Sequence, residues 1–137
     1  MGYEKYIIEP EIRGAEELPH HKKGAPGIRR VLLEKKLLEN TDVYLILRSV
    51  KNVTPEQPEY VETHAHNVNS AYVFIGMSDS LEGLKAEVTI DNEKFVIESP
   101  KTVFIPKGKK HALRLMEGSG HFFHIVLEGD YTRSLTE

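Results

Sequence analysis

Turn-forming clusters interrupt this chain so often that almost every segment between them has the length of a strand. GAPG (24–27), ENTD (39–42), TPEQP (54–58), MSDSLEG (77–83), DNE (91–93), ESPK (98–101), PKG (106–108) and EGSG (117–120) mark the breaks. Gly, Pro, Asn, Asp and Ser favour turns through their backbone geometry and local hydrogen bonding. The stretches between, such as DVYLILRSV, EYVETHAH, SAYVFIG, KFVIES, TVFIP, HALRLM and HFFHIVLEG, are rich in β-branched, aromatic or apolar residues, as strands are. KAEVTI (85–90) alternates cleanly, with Ala86, Val88 and Ile90 on one face and Lys85, Glu87 and Thr89 on the other. Only RVLLEKKLLEN (30–40) carries a helical stripe, through Leu32, Leu33, Leu37 and Leu38; it reads equally as a strand, the reading preferred here. Many short strands with regular turns predict an all-β sandwich or barrel. The pattern is clearest over 43–128. Residues 1–40 are expected to form an N-terminal arm of mixed structure and 41–137 the barrel, in a single domain.

The 137 residues suit one ordinary domain. The absence of cysteine excludes disulfides, thiolate nucleophiles and Cys-based zinc or iron–sulfur sites, and fits a reducing, cytoplasmic setting. A formal charge of −3 opposes bulk attraction to nucleic acid or anionic membrane. The basic clusters HHKKG (20–24), RR (29–30) and KGKK (107–110) are too short to form a binding stripe and read as solvated surface. No apolar run approaches the ~20 residues of a membrane helix. The start, MGYEKYIIEPEIRG, lacks the basic and apolar regions of a secretory signal.

Chemistry concentrates in the histidines. There are seven: His20, His21, His64, His66, His111, His121 and His124. In a strand, His64 and His66 project to the same side, with Cα atoms roughly 6.5–7 Å apart. Two imidazoles so placed can take adjacent positions on one ion, but a chance pair on a surface strand looks the same. In TVFIPKGKKHALRL (102–115), Pro106, Gly108 and His111 form P-x-G-x-x-H. Proline ends the incoming strand, glycine allows the sharp turn, and His111 opens the next strand on the face of Leu113 and Leu115. A ring so buried needs a partner, either a backbone carbonyl or a metal ion. His20 and His21 lie in a polar stretch and read as surface or arm residues.

H-x-H followed 45 residues later by P-x-G-x-x-H resembles the paired motifs of the cupin superfamily. The resemblance rests on His64, His66, Gly76, Pro106, Gly108 and His111 and covers about 55–130. Within it, AYVFIG and IPKGKKH are similar to a group of small single-domain cupins. It implies a double-stranded β-helix, or jelly-roll, barrel whose mouth holds a divalent transition metal (Fe, Mn, Ni or Zn) on His64, His66 and His111. It also implies pairing into a homodimer, with residues 1–40 as a possible exchanging arm. The chain departs from the pattern at several points. The expected glutamate, four or five residues after the second histidine, is replaced by Ser70 or Ala71, beside Asn69. Expected glycines are Pro58 and Pro100, and an expected asparagine is Leu115.

Three readings of the missing carboxylate stand open. Water or substrate fills the position; Glu62 or His124 moves in; or the barrel works without metal, by hydrogen bonds and acid–base histidines. HFFHIVLEG (121–129) puts His121 and His124 on opposite faces, and His124, with Phe122 and Val126, is preferred as the inward one. His124 and Glu62 are the candidate catalytic groups. Tyr72, Phe74 and Ser70 share a face and are expected to line a substrate pocket; Arg48 is a candidate clamp for a substrate carboxylate. An open three-histidine site carries no protein charge, which favours a small anionic molecule as ligand. The expected function is a metal-dependent enzyme of dioxygenase, isomerase, lyase or decarboxylase type. The alternative is a metal-free barrel acting as a sensor or carrier of a small ligand.

Overall fold

A computed structural model of the chain describes residues 2–14, 27–56 and 61–136, with the backbone alone at 61 and 62. His20, His21 and the Glu62 side chain therefore lie outside the described residues. The strands are β1 (Glu11–Ile12), β2 (Ile28–Leu33), β3 (Tyr44–Val53), β4 (Val61–His64), β5 (Ser70–Gly76), β6 (Leu84–Ile90), β7 (Glu93–Glu98), β8 (Lys101–Ile105) and β9 (His111–Val126). A four-residue helix, α1 (Tyr131–Ser134), follows. Among the described residues no helix is long and apolar enough to cross a membrane.

All the strand pairings are antiparallel, and they converge on β9. Its first half pairs with β4 and β6, and β6 carries β7. Its second half lies between β3 and β5, with β2 and β1 beyond β3 and β8 beyond β5. One strand thus joins both branches of a single nine-stranded sheet, and the result is the expected all-β jelly roll. Apolar residues alternate inward along each strand, as a half-buried sheet requires. Val31, Ile46, Phe74, Leu84, Val88, Leu113 and Phe122 meet in one core.

Three local features differ from the sequence reading. EGSG (117–120) is not a turn between strands: β9 runs through it, bending at Gly118, whose φ is +103°. A Cβ on Gly118 would overlap the carbonyl oxygen of Gly83 in the adjacent segment. Glycine here serves close strand approach instead of chain reversal. RVLLEKKLLEN forms a strand only to Leu33; the Leu37 and Leu38 amides then donate to the Glu34 carbonyl in a turn. β2 pairs with β3 and β1 with β2, so Glu11–Ile12 and Ile28–Leu33 both belong to the sheet. In the described part of EYVETHAH regular strand structure covers Val61–His64 and stops before Ala65; His66 follows as an isolated bridge to Leu135.

Gly118→Ala combines a strained φ with a backbone overlap. It is expected to lower stability by about 2–4 kcal/mol, read as a fall in urea midpoint at unchanged m. An unchanged midpoint would show that the strand junction tolerates a side chain.

Candidate metal centre

Strand pairing itself brings the two motifs together. His64, the last residue of β4, stands directly opposite His111, the first residue of β9, and their ring centroids are 4.5 Å apart. The turn before His111 is tied to the loop after His66. The Gly108 amide donates to the His66 carbonyl at 2.7 Å, and the Lys107 amide donates to Asn69 Oδ1 at 2.9 Å. Gly108 holds a φ of +81°, the conformation its place in P-x-G-x-x-H required. All three rings are buried, and each offers a nitrogen within 4.8 Å of the others'.

The hydrogen bonds decide which nitrogen each ring presents. His111 Nδ1 lies 3.1 Å from the Lys109 carbonyl, which can only accept, so Nδ1 carries the proton. Nε2 is then a lone pair, and it is buried with no hydrogen-bond partner. Burial also holds the His111 pKa below the ordinary imidazole value, against a smaller opposing effect of the Lys109 carbonyl. His66 Nδ1 lies 2.7 Å from Ser134 Oγ. That hydroxyl spends its only proton on the Tyr131 carbonyl at 2.5 Å, so it accepts from His66 Nδ1–H. Nε2 of His66 is again the lone-pair nitrogen. The Tyr131 hydroxyl is 3.0 Å from His64 Nε2. Burial first, then the neighbouring Tyr72 and Tyr44, raises the Tyr131 pKa well above the usual phenol value, so the phenol keeps its proton and donates it to His64. In its neutral form each imidazole thus presents Nε2 as the acceptor, which is the state a divalent metal takes.

Around this cluster, His124 faces inward with Phe122 and Val126, while half-buried His121 bonds Ser49 Oγ at 2.8 Å. His124 stacks on Tyr72, with centroids 4.3 Å apart and planes at 19°, and its centroid is 5.9 Å from that of His66. It is not part of the three-histidine cluster. Ser70, on the same face of β5 as Tyr72, is buried with Oγ lacking a hydrogen-bond partner. Phe74 and Arg48 are both buried and both in register with Phe122, one layer below His124. Sequence reasoning missed Tyr131 and Ser134. Asp130 signals a helix start, and its side chain does accept from the Arg133 amide, but nothing in GDYTRSLTE indicates that this segment returns to the barrel mouth. Backbone bonds from Asn67 N to the Ser134 carbonyl (2.6 Å) and from Thr136 N to the Ala65 carbonyl (3.0 Å) hold it there.

No family model matches the sequence, and no curated protein does. Solved structures match. A conserved protein of unknown function from Streptococcus pyogenes is 22% identical over 74% of each chain, with a TM-score of 0.53. The oxalate decarboxylase of Bacillus subtilis, with its Mn(II) centres, is 17% identical over 94% of this chain and 30% of that one, with a TM-score of 0.55. The polyketide cyclase RemF from Streptomyces resistomycificus is 13% identical over 89% of this chain and 75% of that one, with a TM-score of 0.56. At such identities the likeness is one of fold, in keeping with the all-β jelly-roll barrel described above. The chain spans less than a third of the decarboxylase's length.

The tautomers are directly measurable. Long-range nitrogen–proton NMR correlations should show His66 and His111 protonated at Nδ1. Ser134→Ala, which removes the acceptor, should mix the tautomers at His66 and leave His111 alone. A protonated Nε2 on either ring in the wild type would overturn the assignment.

Proposed function

We propose that this chain is a metal-dependent cupin that holds a divalent transition metal on His64, His66 and His111 and acts on a small anionic organic molecule. One observation carries the reading: three buried imidazoles converge, and the His111 Nε2 lone pair has no other partner. A buried acceptor left unsatisfied is costly, and an ion is the partner this donor set suits. Imidazole accommodates Fe, Mn, Ni or Zn, so the ligands alone do not select among them. Such an ion would supply either Lewis-acid polarisation of a substrate oxygen or a redox couple. The oxalate decarboxylase and the polyketide cyclase of the same fold act on oxygen-rich molecules by name, which suits this reading.

The charge around the site favours an anion. The three histidines contribute no negative charge to offset an ion. Beside Tyr131 a cavity of about 180 Å³ is lined by Arg13, Arg29, Lys35 and Lys36 against Glu34 and Asp130, with Tyr44 and Thr132. Arg13 pairs with Glu34 at 3.3 Å and Lys35 with Asp130 at 2.5 Å, and four cationic side chains against two carboxylates leave the lining with a positive excess. In this reading Tyr72 and Ser70 line the substrate space, with Phe74 and Arg48 beneath. His124 moves protons at its edge, and Glu62, whose side chain lies outside the described residues, is the second candidate catalytic group. A cytoplasmic homodimer whose N-terminal residues 1–40 act as an arm to the 41–137 barrel completes the proposal. The metal-free sensor or carrier is the second reading, favoured by the lack, among the described residues, of any carboxylate in the three-histidine cluster.

Protein purified without nickel chromatography should contain, or take up on titration, about one equivalent of a transition metal, and His111→Ala should abolish it. Less than ~0.1 equivalent with no uptake would sink the metal reading. A small ligand that still raises Tm in EDTA and in the His64→Ala/His66→Ala double variant would establish the second.

A further inference from the structure

The carboxylate absent at Ser70 and Ala71 has a chemical substitute at the far end of the chain. We propose, building on the metal centre above, that Tyr131 is a fourth protein ligand, binding the ion through its phenolic oxygen as a phenolate.

Position is the first support. Tyr131 is 4% exposed, and its hydroxyl lies 3.0 Å from His64 Nε2, along the contact that an ion on His64 would take over. An ion sits about 2.0–2.1 Å from an imidazole nitrogen, and two neighbouring ligands on it lie about 2.9–3.4 Å apart. An ion at His64 Nε2 would therefore have the phenolic oxygen, already at such a separation from that nitrogen, within bonding reach. The ring centroid is also 5.1 Å from that of His66 and 6.3 Å from that of His64.

Anchoring is the second support. The segment that carries Tyr131 is bound to the H-x-H loop, not merely packed near it. His66 Nδ1 bonds Ser134 Oγ, which bonds the Tyr131 carbonyl, and Asn67 N bonds the Ser134 carbonyl. On the other side, Asp130 caps α1 and pairs with Lys35 at 2.5 Å. The tyrosine is thereby positioned by the same residues that orient His66.

Charge is the third. Among the described residues the three-histidine cluster offers a dication no anionic ligand; a phenolate supplies the single negative charge that a glutamate would. Its competitor His124 stands outside the cluster, stacked on Tyr72. On binding, the O–H bond breaks, the oxygen keeps the electron pair and bonds the ion, and the proton leaves to solvent through the cavity that Tyr131 and Arg29 line. A bound dication is the agent that makes a buried phenol acidic enough for this.

The test is spectroscopic. Protein is loaded anaerobically with Fe(II), and the bound iron is oxidised in place with ferricyanide. The wild type should develop a visible phenolate-to-iron charge-transfer band, and resonance Raman excitation in that band should enhance tyrosine ring modes. Tyr131→Phe should still bind about one equivalent of iron, with affinity lowered roughly tenfold or more, but show no band. Iron bound by the wild type without the band, or a band that persists in Tyr131→Phe, overturns the assignment while the metal centre stands. Failure of the wild type to take up iron, zinc or manganese at all removes the centre and this ligand together. The wild-type spectrum decides the matter even if the variant does not fold.

Discussion

Everything in this molecule hangs on β9. Sixteen consecutive residues, His111–Val126, hydrogen-bond to β3, β4, β5 and β6. A strand has two edges, so a single straight one can serve two neighbours; serving four requires its two halves to diverge into the two branches of the sheet. Gly118 permits that divergence by removing the side chain where Gly83 presses against the backbone. The same strand carries His111 at one end and Phe122, His124 and Val126 along the other half. The route that closes the core is therefore also the route that delivers the site's side chains to one mouth.

The second organising element is the C-terminal return. After β9 the chain turns back through Asp130, and α1 lays Tyr131 and Ser134 against His64 and His66. These contacts do more than fill space. A carbonyl behind His111 and a committed hydroxyl behind His66 force both rings to keep Nε2 unprotonated. A site needing lone pairs must control tautomers, because a neutral imidazole otherwise divides its proton between two nitrogens. Here the control comes from a backbone turn and from a four-residue helix more than sixty positions away in sequence.

Much of this was legible before any coordinates. The strand-length segments announced an all-β barrel, and the period-two pattern put Ala86, Val88 and Leu113 inside, where they are. Spacing alone made His64, His66 and His111 a candidate cluster, since H-x-H and P-x-G-x-x-H each have a local backbone logic. Alternation also put His121 and His124 on opposite faces, and His124 is the ring that faces inward. What misled was punctuation: EGSG has turn composition, yet composition cannot distinguish glycine needed for reversal from glycine needed for close approach. Nor could regular alternation past His64 be trusted, because β4 loses its partner there and His66 is placed by Leu135 instead.

The sequence by itself determined the fold class and the identities of three candidate ligands, because strand periodicity and turn chemistry are local properties that a few consecutive residues express completely. Only the tertiary structure decided that His64 faces His111 across a ladder, that the His66 and His111 Nδ1 atoms carry a ring proton while His64 Nε2 accepts from the Tyr131 hydroxyl, and that Tyr131 and Ser134 close the site. Those are relations between residues far apart in the chain. Their energy comes from burial and from donor–acceptor pairing that exist only once the barrel has closed, and no local pattern in GDYTRSLTE can encode which loop it will meet.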